Sequence, residues 1–106
     1  MNNTNAPEEM RRWFYVQEPG WLARRIQVQL RLPEGPDLNK AVCTFETATH
    51  LGSLTAWGTG TVEFIVLDLR THSEIVSQDV EYATAEALRT LLSKCAAEFE
   101  RIAGEA

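Results

Sequence analysis

The sequence predicts an α+β fold: a two-layer sandwich in which an N-terminal helix and a C-terminal amphipathic helix pack on an antiparallel β-meander of about five strands. Two observations predict it. Five segments rich in apolar and β-branched residues follow one another with short links, which favour antiparallel neighbours. A long segment near the C-terminus then repeats apolar residues with the helical period, as a helix lying on a sheet does.

Length and composition indicate a single domain. The chain has 106 residues, and 44% of them are hydrophobic, which is typical of globular proteins and too rich for a disordered chain. Residues 1–7 read MNNTNAP and predict a disordered tail, followed by one α+β domain over residues 8–106. The tail lacks the pattern of a secretory signal, and no run of about 18 apolar residues occurs, so we expect a cytoplasmic protein.

The first element is expected to be an interrupted helix. Pro7 followed by two glutamates is typical of a first helical turn, where proline is tolerated and acids meet the positive end of the helix dipole. Apolar side chains then recur at helical spacing: Met10, Trp13, Phe14 and Trp21. Glu18-Pro19-Gly20 breaks this pattern, so we expect the helix to end near Gln17 and a short one to restart at Pro19. A strand through Trp13–Val16 is the alternative.

Five strands are expected over residues 26–32, 40–47, 51–57, 61–69 and 74–82. The first alternates apolar and polar residues strictly, which indicates a half-buried strand. Thr61–Leu69 is apolar on both faces, so it is either a central strand covered on both sides or a patch that awaits a partner. Glu74–Tyr82 carries several acids and suits an exposed edge of the sheet.

The clearest helix begins after Thr84, a good N-cap residue, and ends at Gly104. Its apolar stripe consists of Leu88, Leu91, Leu92, Cys95, Ala96, Phe99 and Ile102. Such a stripe lies on the sheet. Cys95 and Cys43 are therefore expected to be reduced thiols in the layer between helix and sheet.

The charge of the chain is acidic and uneven. The formal net charge is −5, and residues 54–106 account for it with 4 basic and 9 acidic side chains. We expect no binding to nucleic acid or to an anionic membrane, because both attract basic surfaces. The stretch Glu74–Glu81 contains no Lys or Arg, which makes it either an acidic binding edge for a basic protein or a soluble edge of the sheet.

No arrangement of side chains predicts catalysis, a cofactor or a metal site, so we expect a protein without enzymatic activity. His50 and His72 fall in predicted turns, and neither has the neighbours of a zinc site. Both cysteines fall on predicted buried faces, where thiols are inert. Asp68 opens a turn, where aspartate commonly bonds its own backbone.

A series of short motifs runs through the strands and the last helix. They are a strand ending in Thr55-Ala56-Trp57 before a glycine turn, then Val66-Leu67-Asp68, then Thr71, Glu74, a fifth strand and a leucine-rich helix. Over about Ile26–Ile102 this order resembles the TriTu family of bacterial immunity proteins, although Leu69-Arg70 and His72-Ser73 depart from its pattern. The resemblance implies a cytoplasmic inhibitor that binds a cognate secreted toxin of a polymorphic toxin system and neutralises it stoichiometrically.

The residues expected to bind that partner are Trp57, Asp68, Glu74, Asp79 and Glu81. The acids would occupy the basic cleft of a toxin such as a nuclease. Trp57 ends a strand beside a glycine hairpin, where it either packs across strands or anchors the partner.

Two other functions stay open at this point. A chaperone or adaptor for a secreted effector would present an apolar surface, which Ile65, Leu67 and Leu69 could supply. A small ligand-binding or enzymatic domain would need polar groups converging on a pocket, whereas the inward faces are almost wholly apolar. A homodimer through the two-faced strand is compatible with each function.

Overall fold

The computed structural model describes residues 4–33 and 39–104, and it confirms the α+β sandwich. Its elements are α1 (Ala6–Ala23), β1 (Gln27–Arg31), β2 (Lys40–Glu46), β3 (His50–Trp57), β4 (Thr61–Asp68), β5 (Ser73–Glu81) and α2 (Ala85–Gly104). The strands form one antiparallel sheet in the order β1-β2-β3-β4-β5, which confirms the meander. Pro33-Glu34-Gly35-Pro36-Asp37, whose prolines and glycine predict a loop, lies outside the described residues apart from Pro33.

Both helices pack on the same face of the sheet, and Phe45 of β2 lies where they meet. Its ring centroid is 5.1 Å from that of Trp21 in α1 and 5.3 Å from that of Phe99 in α2. Phe45 lies on the same face of β2 as Ala41 and Cys43, which are also fully buried. The core is therefore a single layer between one sheet face and two helices, and its burial is the main source of stability.

Helix α1 runs without interruption, so the break expected at Pro19 and the alternative strand are both wrong. Pro19 lies inside the helix, where it lacks the N–H that would bond to the carbonyl one turn back. The helix continues because Trp21, two residues further on, is buried. Its ring centroid is 5.2, 5.7 and 5.1 Å from those of Trp13, Phe14 and Phe45. These aromatic contacts outweigh the local cost of the proline.

The folded domain also begins earlier than the sequence predicted. The Thr4 N–H donates to the Gly58 carbonyl at 3.2 Å, and the Asn5 side chain caps α1 by accepting from the Glu8 N–H at 3.2 Å. Ala6 is fully buried in the core. The boundary expected after residue 7 is therefore too late, because residues 4–7 are folded; residues 1–3 lie outside the described part of the chain.

The other face of the sheet carries no helix in the described part of the chain, and we call it the open face. Strand β4 shows the contrast: Val62 and Val66 are fully buried under the helices, whereas Ile65 and Leu67 are half-buried on the open face. Of the two expectations for this strand, the uncovered patch is therefore correct. Neither described helix is long and apolar enough to cross a membrane.

Strand β5 is an edge of the sheet, as its acids predicted. Its pairing with β4 is regular from Glu81 back to Val76, and a bulge lies between Val76 and Glu74. Leu67 pairs with Glu74, and Ile75 is the extra residue. The bulge therefore puts Glu74 opposite a residue of the open face.

Candidate partner-binding face of the sheet

Four acidic side chains gather on the half of the open face formed by β4 and β5. We call them the acidic quartet: Glu63, Glu74, Asp79 and Glu81. Glu63 lies directly opposite Asp79, Glu81 lies opposite Thr61, and neither strand contains a Lys or Arg. The structure thus brings together three of the acids expected to bind a partner. Sequence analysis missed Glu63, although its place two residues before Ile65, on the same face of β4, was a signal for it.

One pair within the quartet disfavours the pairing of β4 with β5. Like charges directly opposite each other on neighbouring strands repel, and Glu63 and Asp79 are such a pair. Strands β1 and β2 differ, since Arg31 and Lys40 lie on the same face there. A sequence that keeps facing carboxylates at one end of an open sheet concentrates negative potential there, as an electrostatically complementary binding surface requires.

Trp57 lies at the end of β3 on the open face, between Lys40 of β2 and Thr61 of β4. The Lys40 Nζ is 5.6 Å from the indole centroid, which is within cation–π range. The Trp57 carbonyl accepts a hydrogen bond from the Tyr82 hydroxyl. The Trp57 ring packs across strands but is only half-buried, so part of its surface is exposed. It lies in the same cross-strand row as Thr61 and Glu81.

Asn39, which sequence analysis did not single out, fastens the hairpin that follows Trp57 to the start of α1. Its side chain accepts a hydrogen bond from the Ala6 N–H at 2.8 Å and donates one to the Thr4 carbonyl at 2.7 Å. Its own carbonyl accepts from the Gly58 N–H at 2.8 Å. A Cβ at Gly58 would lie 1.9 Å from Asn39 Nδ2, so only glycine fits there. The hairpin that follows Trp57 is thus held by residues near the N-terminus and by the residue just before β2.

Asp68 does not belong to the open face. It is buried at the end of β4 on the helix-covered side, and Arg70 Nη2 and Nε lie 2.9 and 3.1 Å from its oxygens. The Arg70 guanidinium and then the Arg70 backbone N–H hold the pKa of this carboxyl well below its usual range. The carboxylate is thus occupied by its own chain, so we leave Asp68 out of the proposed binding surface. The alternation along β4 was the signal for this position, because Asp68 follows Val62, Phe64 and Val66 on the buried side of the strand.

The two histidines differ in their surroundings. His72 lies in the turn before β5 with a φ of 58°, as expected of a turn residue. His50 was also expected in a turn, but it is the first residue of β3 and is fully buried. Its Nδ1 is 2.8 Å from Thr49 Oγ1, and its Nε2 is 3.8 Å from Asp68 Oδ2. The turn assignment failed because β3 begins one residue earlier than expected and pairs His50 with Asp68.

The two thiols are free and lie in the layer between α2 and the sheet, as expected. Burial raises the pKa of the Cys43 thiol to about 12 and that of Cys95 to about 11. Both therefore stay protonated and unreactive at neutral pH. Among the described residues, no group of three or more His, Cys, Asp or Glu side chains is placed to hold a metal ion.

A groove of about 290 Å³ separates α2 from β5 on the helix-covered side, and we call it the edge groove. It is lined from β5 by Val76, Gln78 and Val80 and from α2 by Leu91, Lys94 and Glu98. The groove exists because α2 packs over β3 and β4. The apolar residues of β5 on this side are consequently only half-buried.

Comparison of the chain with protein-family models and with curated protein sequences gives no significant match. The open face, the edge strand β5 and the edge groove are therefore the features that indicate a function.

Proposed function

We propose that this chain is an immunity protein that acts in the cytoplasm of the producing cell. It binds a cognate bacterial toxin domain and neutralises it by stoichiometric contact, without catalysing a reaction. The observation that carries this proposal is the acidic quartet on an open sheet face, with no basic residue on either of its strands. The resemblance to TriTu immunity proteins supplies the class of partner.

The charge of the open face supports a partner with a basic surface. Toxins that act on nucleic acids need basic substrate clefts, because their substrate is a polyanion. A face carrying Glu63, Asp79 and Glu81 side by side attracts such a cleft and accelerates the encounter. Trp57, at the end of the same face, would supply buried apolar area once the partner excludes water, as Trp does at many interface centres.

The surroundings of the reactive side chains favour binding over catalysis. The thiols of Cys43 and Cys95 are protonated and buried under α2. The carboxylate of Asp68 is held by Arg70, and His50 is enclosed beside it. These four groups therefore serve the core and the end of the sheet, whereas the acidic quartet lies on a sheet face that neither described helix covers.

Co-expression with the toxin encoded by the neighbouring gene tests the proposal. Cells that carry the toxin and this chain should grow, and a complex of the two proteins should be isolated in a fixed ratio. Cells that carry the toxin with an empty vector should die. Failure of the chain to rescue growth, with both proteins expressed and folded, would exclude immunity toward that toxin.

A chaperone or adaptor for a secreted effector is the second candidate. The observation that favours it is the apolar area of Ile65 and Leu67 on the open face, with Ile75 exposed at the bulge. A pull-down separates the two functions. An immunity protein binds the folded toxin domain and abolishes its activity, whereas a chaperone binds a delivery region and leaves the toxin active.

A further inference from the structure

We infer that the free edge of β5 accepts an extended segment of the partner protein, with alternating basic and apolar residues, as a sixth strand of the sheet. This inference rests on the proposed function insofar as it takes a protein as the ligand. It adds the mode of binding and the sequence pattern of the bound segment.

The hydrogen-bond register shows which residues of β5 direct their backbone away from the sheet. The Tyr82 N–H donates to the Gly60 carbonyl at 2.9 Å, so these two residues form a hydrogen-bonded pair of the antiparallel ladder. Such pairs alternate with pairs that are not hydrogen-bonded. Along the regular register, the other hydrogen-bonded residues of β5 are Val80, Gln78 and Val76. The intervening residues, which direct N–H and C=O outward, are Glu81, Asp79 and Ser77.

The outward groups lie along an edge that is open in the described part of the chain. β5 is the last strand of the sheet there, with β4 on its one paired side. Ser77, Asp79 and Glu81 are all exposed. A regular run of outward N–H and C=O groups is a template on which an extended peptide adds as a further strand.

The two sides of β5 specify what such a strand would carry. On the open face, Asp79 and Glu81 would lie beside every second side chain of the added strand, and they favour Lys or Arg there. On the other side, Val76, Val80 and Leu91 would contact the alternate side chains over the edge groove, and they favour apolar residues. The fitting segment therefore alternates basic and apolar residues.

Charge also argues against a second copy of this chain as the added strand. β5 contains Glu74, Asp79 and Glu81 and no basic residue. Edge-to-edge pairing of two copies would bring six carboxylates onto neighbouring strands without a counter-charge, which is repulsive. A basic segment of another protein relieves the same repulsion, including that between Glu63 and Asp79.

A peptide titration tests the inference without the toxin. The probe is a blocked ten-residue peptide of alternating Val and Lys, and the control is the same length of alternating Val and Glu. With the isotope-labelled full chain, the Val–Lys peptide should slow hydrogen exchange at the amides of Ser77, Asp79 and Glu81, and the Val–Glu peptide should not. No binding of the Val–Lys peptide, or protection elsewhere on the chain, would overturn the inference, as would a dimer of the free chain formed through β5.

Ser77→Pro and Ser77→Thr form the matched pair of variants. Proline removes one outward N–H and leaves the hydrogen bonds to β4 in place, and proline is tolerated at such edge positions. Ser77→Pro should weaken peptide binding at least tenfold, whereas Ser77→Thr should bind as the unaltered chain does. Equal binding by both variants would contradict the added strand. The amide protection of the unaltered chain remains a readout if Ser77→Pro does not fold.

The two proposals fail separately. If folded Ser77→Pro neutralises the toxin as well as the unaltered chain does, the immunity function stands and the added strand is wrong. If the chain fails to neutralise the toxin and still binds the Val–Lys peptide through β5, the function is wrong and the edge inference stands.

Discussion

His50 and Asp68 face each other across β3 and β4, with His50 Nε2 3.8 Å from Asp68 Oδ2. Thr49 Oγ1 lies 2.8 Å from the other ring nitrogen of His50, and the Arg70 backbone N–H donates to Asp68 at 2.9 Å. These contacts close one end of the sheet, where the chain leaves β4 for the turn to β5. They give Asp68 a structural role that can be tested by titration.

Asp68→Asn should remove the pH-dependent contribution that the ionised Asp68 makes to the free energy of unfolding. The pKa of Asp68 is lowered in the folded protein, mainly by the Arg70 side chain and then by its backbone N–H. Its stabilising effect is therefore complete above the unfolded-state pKa of about 4 and is lost as the pH falls toward the folded-state pKa. The difference in free energy of unfolding between the unaltered chain and Asp68→Asn should be constant from pH 7 to 5 and shrink below about pH 4.

Urea denaturation across this pH range measures the difference. Arg70→Gln is the matched variant, because it removes the guanidinium, the larger of the two donors that lower the pKa, and leaves the carboxyl in place. It should reduce the pH dependence in the same window. A difference between the unaltered chain and Asp68→Asn that stays constant down to pH 2 would show that Asp68 is not held as a stabilised carboxylate.

Gly52→Ala should destabilise the protein by about 1–3 kcal/mol, because it overpacks the core. The new Cβ would lie 2.6 Å from Phe99 Cδ1, and the Phe99 ring is stacked against Phe45 with no room to withdraw. Gly20→Ala is the control, because its Cβ meets nothing within 4 Å. Alanine in place of glycine at an exposed helix position should raise the free energy of unfolding by about 0.5–1 kcal/mol. Chemical denaturation measures both. Equal effects of the two changes would be inconsistent with the packing of Phe99 on β3.

Pro19→Ala should raise the free energy of unfolding by roughly 1–3 kcal/mol, because an N–H becomes available inside α1 where proline is costly. Pro7→Ala is the control, since Pro7 lies in the first turn, where the missing N–H has no helical partner. That change should be close to neutral. A destabilising effect of Pro19→Ala would mean that the bend imposed by Pro19 is what seats Trp21 in the core.

Asn39→Ala should cost roughly 1–3 kcal/mol, because it leaves the Ala6 N–H without its side-chain acceptor and the Thr4 carbonyl without the Asn39 donor. Asn39→Asp retains an acceptor for Ala6 and should be affected less. Thermal unfolding reports the stability, and the indole N–H resonance of Trp57 in an NMR spectrum reports whether its environment changes. If Asn39→Ala unfolds like the unaltered chain, the hairpin after β3 does not depend on the N-terminal anchor.

The strands and α2 could be predicted because the spacing of apolar residues within each segment shows which side chains are buried. Residues of β4 alternate between buried and half-buried, and the stripe of α2 recurs at helical spacing, so position in the chain decides which side chain meets the core. The edge location of β5 could also be predicted, because the acids that indicate it lie within the strand itself. The acids of the candidate face, Glu74, Asp79 and Glu81, were therefore identified together.

The remaining features depend on contacts between distant residues. The continuity of α1 through Pro19 depends on Trp21 meeting Phe45 of β2, which no local pattern reveals. Likewise, the β3–β4 register sets His50 opposite Asp68, and the β4–β5 register sets Glu63 opposite Asp79. Register is set by the assembled sheet, so a reader of the sequence can name these residues but cannot pair them.

We propose above that the acidic half of the open face binds a basic protein surface. Reversing two of its charges, with Asp79→Lys and Glu81→Lys combined, should slow association with the toxin domain at least tenfold at low salt and weaken protection of cells. Glu18→Lys on α1 is the control, because it changes the charge in the same direction on the helical layer.

Stopped-flow at increasing salt would measure the association rate of the purified chain with a toxin domain that it neutralises. We expect a fast, salt-sensitive association rate for the unaltered chain and for Glu18→Lys. The Asp79→Lys, Glu81→Lys variant should associate slowly and with little dependence on salt. The same rate and salt dependence for all three proteins would contradict the proposal.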